Sequence, residues 1–316
     1  MIDFLQGVGE YLLHKQLWTP FLHVGYSFMY TCIEDAKSNM KRIGEMIKKK
    51  KLPIEICPLI IGITGFGKVS KGAKEILDLI PHEYIDPSNL SLIFQKDAKH
   101  HVDKIYITII ESKHMYIHKT KNTFNKRDFY ANPNDYKSIF APNFLPYLSL
   151  LVHGMYWDKN SENIISKEEA REFALQKKFR IFGITDITCD VNGSISLMKR
   201  LTSIDKPFYL IDPITEKIDN HIENVNDNLI LYHAVDHLPA EFAVDASCHF
   251  SKNLFSFMKP LAESKYPVDF EDQHGIPKEI LNAEIACNGK LTPRCSYLYK
   301  ELAKYYPEYQ EVKPKF

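Results

Sequence analysis

Two glycines, Gly65 and Gly67, interrupt an apolar run and are followed at once by residues with helical spacing. Because neither position carries a side chain, a pyrophosphate group can approach the backbone there. A helix that opens near Val69 directs its free N–H groups and the positive end of its dipole at the phosphate charge. The pattern therefore predicts a strand over 59–64, a phosphate-binding loop, a helix over 70–80 and a nucleotide ligand.

One interpretation of this loop is a Walker A site for a nucleoside triphosphate. The spacing from Gly62 to Lys68 matches that motif, but the next residue is Val69, which has no hydroxyl to hold a magnesium ion. This residue weakens the ATP-binding interpretation. An ordinary tight turn in an α/β core is a further alternative, since a glycine pattern on its own is not specific.

The dinucleotide interpretation accounts for more of the sequence. Gly65 and Gly67 take the first two glycine positions, and Ser70 takes the third small position. Gly72 follows two residues later and is expected to let the helix pack closely on the strand. The pattern also requires an acid about 20 residues after the first glycine, and Asp86 follows a short strand signal there. The sequence therefore favours a dinucleotide over ATP.

Further polar residues follow other predicted strands. Asp186 and Asp190 end a strand predicted over 179–187, and ligands of parallel sheets lie beyond the carboxyl ends of the strands. Both acids are site candidates, although capping and turn formation explain them equally well. His237 follows a strand predicted over 229–234, where it either meets a ligand or holds the turn before a helix.

Strands and helices that alternate along the chain must position these groups. The predicted elements are an amphipathic helix over 26–47, a short strand over 83–85, an apolar segment over 102–110, a buried segment over 147–156, a helix over 167–175 and helical spacing over 238–250, in addition to those named above. Residues 111–143 are polar and predict an excursion from the sheet, with Asp135 and Tyr136 in a helical turn. This order predicts an α/β fold with a doubly wound parallel sheet.

The composition excludes several classes of protein. Of 316 residues, 45% are hydrophobic and 25% charged, and 40 basic residues balance 40 acidic ones, which gives no reason to expect nucleic acid or a membrane surface as a partner. The N-terminal residues resemble neither a signal peptide nor a membrane anchor, so a soluble intracellular protein is expected. The six cysteines form no C-x-x-C pair, and the histidines lack ligand spacing, so neither disulfides nor a metal site is expected.

Several segments together resemble one family, the lysine-ketoglutarate reductase region of alpha-aminoadipic semialdehyde synthase, which is related to alanine dehydrogenases and saccharopine dehydrogenases. The segments that carry the resemblance cover nearly the whole chain in the same order. They are 18–25 (WTPFLHVG), 65–73 (GFGKVSKGA), 82–87 (HEYIDP), 153–157 (HGMYW), 186–190 (DITCD), 193–195 (GSI), 236–240 (DHLPA) and 288–292 (NGKLT).

The resemblance implies two Rossmann-like domains with a cleft, in which L-lysine is condensed with 2-oxoglutarate and the imine is reduced by NADPH to saccharopine. It also implies that this chain's residues bind the cofactor, with NADH as an alternative because an acid at the ribose favours a free 2′-hydroxyl. The implied phosphate-side residues are Gly65, Gly67, Val69, Ser70 and Lys71. Asp86 is implied near the adenosine ribose, and the implied nicotinamide-side residues are Met155, Tyr156, Asp186, Asp190, His237 and Leu238.

The chain also departs from the family pattern. Most of the first domain, which supplies the family's catalytic lysine and histidine and its carboxylate-binding arginine, has no counterpart here, and neither has the saccharopine dehydrogenase half. Catalytic residues therefore remain unassigned. We expect residues 1–25 to be the end of the first domain, 26–235 the dinucleotide-binding domain, and 236–316 helices that return to the first domain.

Three functions follow from these expectations. The first is the reductase itself, acting on L-lysine and 2-oxoglutarate in the mitochondrial matrix or cytoplasm, with a partner chain or self-association completing the cleft. The second is a non-catalytic dinucleotide-binding or regulatory module derived from that enzyme. The third is a P-loop ATPase, which requires magnesium-dependent ATP binding despite Val69.

Overall fold

The computed structural model describes residues 1–264, 269–273 and 275–306. The chain divides into two compact units, Met1–Ala243 and Val244–Phe316, called here the first and second unit. The described α-helices are α1 (Ile2–His14), α2 (Ile33–Lys50), α3 (Lys68–Leu77), α4 (Leu90–Ile93), α5 (Ser112–Met115), α6 (Lys126–Ala131), α7 (Phe140–Phe144), α8 (Lys167–Leu175), α9 (Ala243–Glu263), α10 (Lys278–Ala283) and α11 (Tyr299–Leu302).

The first unit is built on an eight-stranded sheet with the order β2-β3-β1-β6-β7-β10-β8-β9. The first six strands in this order are parallel, whereas β8 runs antiparallel to β10 and β9 antiparallel to β8. These strands are β1 (Ile60–Thr64), β2 (His82–Tyr84), β3 (Ile105–Ile110), β6 (Leu150–His153), β7 (Gly183–Asp186), β8 (Phe208–Ile211), β9 (Ile218–Asp219) and β10 (Ile230–His233). Two small hairpins pair β4 (Tyr116–His118) with β5 (Tyr136–Ser138), and β11 (Ala286–Cys287) with β12 (Lys290–Leu291).

Apolar side chains cover both faces of the large sheet. Alternate residues of a strand point to opposite faces, and Ile61 and Ile63 of β1 join one buried cluster whereas Ile60 joins another. The strand β6 divides in the same way, with Val152 in the first cluster and Leu151 in the second. A parallel sheet with two buried faces is the doubly wound arrangement. The predicted α/β, Rossmann-like fold class is confirmed.

Most predicted elements occur, with shifted ends. The helix over 167–175 is confirmed and begins with a capping box in which Ser166 and Glu169 satisfy each other's backbone N–H groups. The helix predicted over 26–47 begins later, at Ile33, because Ser27–Met29 form a 3₁₀ turn and Cys32 is extended. The prediction of one helical turn for Asp135 and Tyr136 is partly wrong, since Asp135 ends a 3₁₀ turn and Tyr136 begins β5.

The N-terminal helix α1 is part of the first unit and was not predicted from the sequence. Phe4, Leu5 and Val8 of this helix are fully buried in the core. The hydroxyl of Tyr11 donates to the carbonyl of Leu229 at 2.7 Å, just before β10. These contacts anchor the start of the chain to the sheet.

The second unit begins with the long helix α9, which follows a 3₁₀ turn over Leu238–Phe242. Helical spacing predicted over 238–250 is therefore only partly α-helical. Asn288 and Gly289 form the turn of the β11–β12 hairpin with positive φ angles of 51° and 74°, a conformation that this residue pair adopts readily. Residues 265–268, 274 and 307–316 of the predicted 236–316 segment lie outside the described residues.

Candidate functional site

The connections of the sheet reverse direction at β1. From β1 the chain passes to β2 and β3 on one side, and then crosses to β6 on the other. Such a reversal leaves a crevice beyond the carboxyl ends of the two strands, which is where open parallel sheets bind ligands. We call this place the β1–β6 crevice.

The glycine loop, residues 65–67, lies at this crevice between β1 and α3. Gly65 has a φ angle of +86°, which favours glycine, and its N–H donates to the carbonyl of Ile110 at 2.8 Å. A Cβ atom at Gly67 would meet no atom within 4 Å, so the loop faces open space at this residue. No side chain caps the start of α3, and its first intrahelical bond runs from the Lys71 N–H to the Gly67 carbonyl. The amides of the first turn are therefore free to bind an anion.

The Walker interpretation conflicts with the position of Gly62. This residue lies inside β1 and pairs with Thr108 and Leu151. Gly62 therefore cannot be the first residue of a phosphate-binding loop. The loop consists only of the three residues between Thr64 and Lys68. The expected close packing at Gly72 is also wrong, because a Cβ atom there would meet nothing within 4 Å.

The close backbone approach occurs instead at Gly154, directly after β6. A Cβ atom at Gly154 would lie 2.4 Å from Cγ1 of Val69 in the first turn of α3. The next residue, Met155, lies beside the glycine loop, with its Cβ 3.5 Å from the Cβ position at Gly65. The two sides of the crevice are thus in contact through Val69, Gly154 and Met155.

Two polar groups of the predicted phosphate side have different environments. Ser70 is buried, and its hydroxyl donates to the Thr64 carbonyl at 3.0 Å, so its side chain joins α3 to β1. Lys71 and the neighbouring Lys68 are exposed, and neither forms an ion pair with a described residue. Two unpaired ammonium groups beside the free amides favour a phosphate ligand.

A buried hydrogen-bond network joins the strands at the crevice. His153 Nδ1 lies 2.8 Å from Thr64 Oγ1, and His153 Nε2 lies 2.6 Å from Ser194 Oγ. Thr64 Oγ1 also accepts from the Gly154 N–H at 3.2 Å. Burial lowers the pKa of His153, although the charges of Asp186 and Asp190 act in the opposite direction. A neutral ring can accept at one nitrogen and donate at the other, so it is well suited to this place.

Asp186 ends β7 and is only 1% exposed. Its Oδ1 accepts from the Thr188 N–H at 3.1 Å and from the Thr188 hydroxyl at 2.6 Å, and its Oδ2 accepts from the Tyr232 hydroxyl at 3.0 Å. Burial, followed by the charge of Asp186, raises the pKa of Tyr232 well above its usual value. The carboxylate is therefore occupied by protein groups.

The remaining nicotinamide-side candidates are more exposed. Asp190 is exposed, and its carbonyl accepts from the Gly193 N–H at 2.8 Å in a tight turn. Tyr156 is 80% exposed at the mouth of the crevice. His237 is exposed, with Nε2 3.5 Å from Asp236 Oδ1, and Leu238 begins the 3₁₀ turn that follows.

Asp86 lies farther from the glycine loop than its sequence spacing predicts. It follows β2, which is the edge strand, and β3 separates β2 from β1. Its carboxylate accepts from the Ser88 N–H at 2.9 Å. Hydrogen bonds from the Ser88 side chain and backbone lower the pKa of this exposed carboxyl.

A cavity of about 310 Å³ lies between the excursion and the segment after β6. Ser112, which follows β3, and Met155 line it together with aromatic side chains. The aromatic residues are Tyr116, Phe129, Tyr130, Tyr156 and Trp157. Sequence reasoning identified two of the lining residues, Met155 and Tyr156, but gave no signal for the cavity. Within residues 1–264, 269–273 and 275–306, no three His, Cys, Asp or Glu side chains could together hold a metal ion.

Comparison with known proteins finds relatives that match nearly the whole chain. No family model matches the chain. The chain is 36% identical over 307 residues to alpha-aminoadipic semialdehyde synthase of Arabidopsis thaliana, a match that covers 94% of the chain and 28% of the relative. This chain is homologous to a segment of alpha-aminoadipic semialdehyde synthase. The mitochondrial alpha-aminoadipic semialdehyde synthase of Rattus norvegicus is 29% identical over 315 residues, and that of Mus musculus 28% over 313 residues.

The resemblance found in the sequence is confirmed by these relatives. The matches with the rat and mouse alpha-aminoadipic semialdehyde synthases cover 95% of this chain but only 33% of each relative. It therefore spans about a third of the length of the curated relatives it matches. Among solved structures, an L-alanine dehydrogenase aligns with a TM-score of 0.43 and 13% identity over 88% of this chain and 64% of that one. None of the described helices is long and apolar enough to span a membrane.

Proposed function

We propose that the first unit binds a reduced nicotinamide dinucleotide across the β1–β6 crevice and serves the lysine-ketoglutarate reductase reaction. The observation that carries the proposal is the glycine loop, which opens at a reversal of the sheet connections and leads into an uncapped α3. The free amides of the first turn bind the pyrophosphate, and Lys68 and Lys71 add positive charge. Homology to alpha-aminoadipic semialdehyde synthase supports the choice of reaction.

The other side of the crevice receives the nicotinamide half of the dinucleotide. The His153 network fixes the backbone of Gly154 through Thr64, and this holds Met155 and Tyr156 beside the loop. A cofactor positioned in this way presents one face of its nicotinamide ring to the imine, since a rigid support orients a reacting group. The resemblance favours NADPH as the cofactor that supplies the hydride.

In this proposal the crevice residues bind the cofactor, and other residues supply the acid–base groups of the reaction. Imine formation requires a proton donor and acceptor within about 3 Å of the reacting nitrogen and cationic partners for two carboxylates. Asp186 is occupied by Thr188 and Tyr232, and His153 by Thr64 and Ser194. We propose that L-lysine and 2-oxoglutarate are bound with the help of a partner chain or of a second copy.

A second candidate function is a dinucleotide-binding or regulatory module without catalysis. The internal hydrogen bonds of Asp186 and His153 favour it, because both groups bind protein atoms rather than facing open space. A measurement of catalytic turnover distinguishes the reductase from the non-catalytic module. NADPH oxidation that depends on both L-lysine and 2-oxoglutarate supports the reductase, and dinucleotide binding without turnover supports the module.

Two glycines of similar exposure provide a matched test of the binding site. A Cβ atom at Gly67 or at Gly72 meets nothing within 4 Å, so Gly67→Asp and Gly72→Asp add the same charge without a clash. Gly67 has a φ angle of −86°, which an aspartate adopts readily, and an aspartate also stabilises a helix start. Only Gly67→Asp places its carboxylate where the phosphate is proposed to bind.

Calorimetry with NADPH and NADH tests this proposal directly. We expect Gly67→Asp to weaken dinucleotide binding by about tenfold or more, since its carboxylate would accept from the free amides in place of the phosphate and would repel it. Gly72→Asp should bind as the unmodified chain does. Folded wild-type chain that binds neither cofactor, or equal effects of both variants, contradicts the proposal. Magnesium-dependent ATP binding would favour the P-loop interpretation instead.

A further inference from the structure

The strand order of the sheet changes which acid can reach the ribose of a bound dinucleotide. In the common order 3-2-1-4-5-6, the strand that follows the glycine loop in sequence is also the neighbour of β1 in space. An acid about 20 residues after the first glycine then ends that neighbouring strand. Here β3 is the neighbour of β1, and β2 lies one strand farther away, about 4.8 Å beyond it.

The end of β3 is joined directly to the glycine loop. The N–H of Gly65 donates to the carbonyl of Ile110, the last residue of β3, at 2.8 Å. The next residue is Glu111, which therefore takes the place beside the loop that Asp86 was predicted to take. Neighbouring parallel strands end at the same edge, so Glu111 lies at the crevice edge of the sheet.

The Glu111 side chain is held in place but is accessible. Its N–H donates to Nδ1 of His114 at 3.0 Å, and its side chain caps the His114 N–H in return. One carboxylate oxygen, Oε1, lies 3.1 Å from Nζ of Lys113, and the side chain is 47% exposed. A half-exposed, positioned carboxylate can accept hydrogen bonds from the two hydroxyls of a ribose.

We propose that Glu111, and not Asp86, binds the adenosine ribose of the dinucleotide. This inference rests on the proposed function. A carboxylate at the ribose accepts from a free 2′-hydroxyl and repels a 2′-phosphate, so this chain prefers NADH to NADPH. Lys113, two residues further along the chain, forms an ion pair with Glu111.

The test compares Glu111→Gln with Asp86→Asn in calorimetric titrations of NADH and NADPH. Glutamine keeps an oxygen to cap the His114 N–H, so the fold is preserved while the charge is removed. We expect Glu111→Gln to weaken NADH binding by about tenfold, and to strengthen NADPH binding because Lys113 is released. Asp86→Asn should leave both affinities within about twofold of wild type.

The outcomes separate this inference from the proposed function. Wild-type chain that prefers NADH, with the preference lost in Glu111→Gln alone, supports it. A wild-type chain that binds a dinucleotide but responds only to Asp86→Asn, or to neither variant, overturns the inference and leaves the proposed function intact. Folded wild-type chain that binds neither cofactor overturns both.

Discussion

Thr64 and His153 join the two strands that border the crevice, with 2.8 Å between the Thr64 hydroxyl and Nδ1 of the ring. Thr64 is the last residue of β1, and His153 is the last residue of β6. Because Thr64 also holds the Gly154 N–H, this pair fixes both the start of the glycine loop and the turn opposite it. The geometry of the proposed dinucleotide site therefore depends on a buried contact that touches no ligand.

The Ser194 hydroxyl should contribute to stability through this contact. Ser194→Ala removes the partner of His153 Nε2 and leaves a buried polar atom unpaired. We expect the free energy of unfolding to fall by about 1–3 kcal/mol, measured by urea denaturation at neutral pH. Ser196→Ala, a half-buried serine two residues away, serves as the control and should change stability by less than about 0.5 kcal/mol. Equal losses in the two variants would contradict the role of the network.

The buried His233 makes stability depend on pH. Burial lowers the pKa of His233 to about 3, and its Nδ1 lies 2.8 Å from the Thr185 hydroxyl. Between this value and the ordinary pKa of about 6.5, the unfolded chain binds a proton at this residue that the folded chain does not. Stability from this residue is therefore complete above about pH 6.5, and it falls by about 1.4 kcal/mol for each pH unit below it.

The variant His233→Gln isolates this effect, because it removes the titrating group. Glu241, whose pKa burial raises to about 7, acts in the opposite direction over part of this range, so the measured quantity is a difference. Unfolding free energies of wild type and variant are compared from pH 7 to pH 5. We expect the wild type to lose more stability on acidification than the variant. Parallel pH profiles would contradict this, because they would show that the folded and unfolded chains bind protons equally at His233.

A side chain at Gly154 should destabilise the fold as long as residue 69 is a valine. The Cβ atom of Gly154→Ala would lie 2.4 Å from Cγ1 of Val69, so the turn after β6 or the first turn of α3 must move. We expect a loss of about 1–3 kcal/mol in stability by thermal denaturation. The double variant Gly154→Ala with Val69→Ala should recover most of the loss, since it removes the clashing methyl group. Additive effects of the two substitutions would contradict the contact.

The order of strands and helices could be predicted because it follows from local periodicity. The apolar run of β1 and the capping box of α8 are clear local signals for a strand and for a helix start. β9 was missed because its two residues carry too little pattern to be recognised, and β8 was missed although its four apolar residues match the length of β6 and β7. α1 was missed too, and its apolar residues are explained only by their burial against the sheet.

Only those parts of the site that lie within one contiguous segment could be predicted from the sequence. Gly65 and Gly67 mark the phosphate loop within three residues, whereas Thr64 and His153 are 89 residues apart and meet only in the folded sheet. The strand order is equally non-local. Sequence spacing pointed to Asp86 for the ribose, and no local signal shows that β3 inserts between β2 and β1.

Lys68 and Lys71 should give dinucleotide binding a dependence on salt. Both are exposed near the free amides of α3, and neither has an ion-pair partner among the described residues. Replacing both by alanine should weaken binding of the reduced cofactor several-fold at low ionic strength and flatten the decline in affinity as salt is added, because exposed charges are screened. Fluorescence titrations of the reduced cofactor at increasing salt concentration measure both effects.

The control for this double variant is Lys41→Ala with Lys49→Ala, which removes two exposed lysines from α2 and gives the same change in net charge. If attraction is local to the glycine loop, the control retains the affinity and salt dependence of the wild type. If both double variants weaken binding to the same extent, the attraction comes from the overall charge of the chain. In that case Lys68 and Lys71 have no specific part in holding the phosphates.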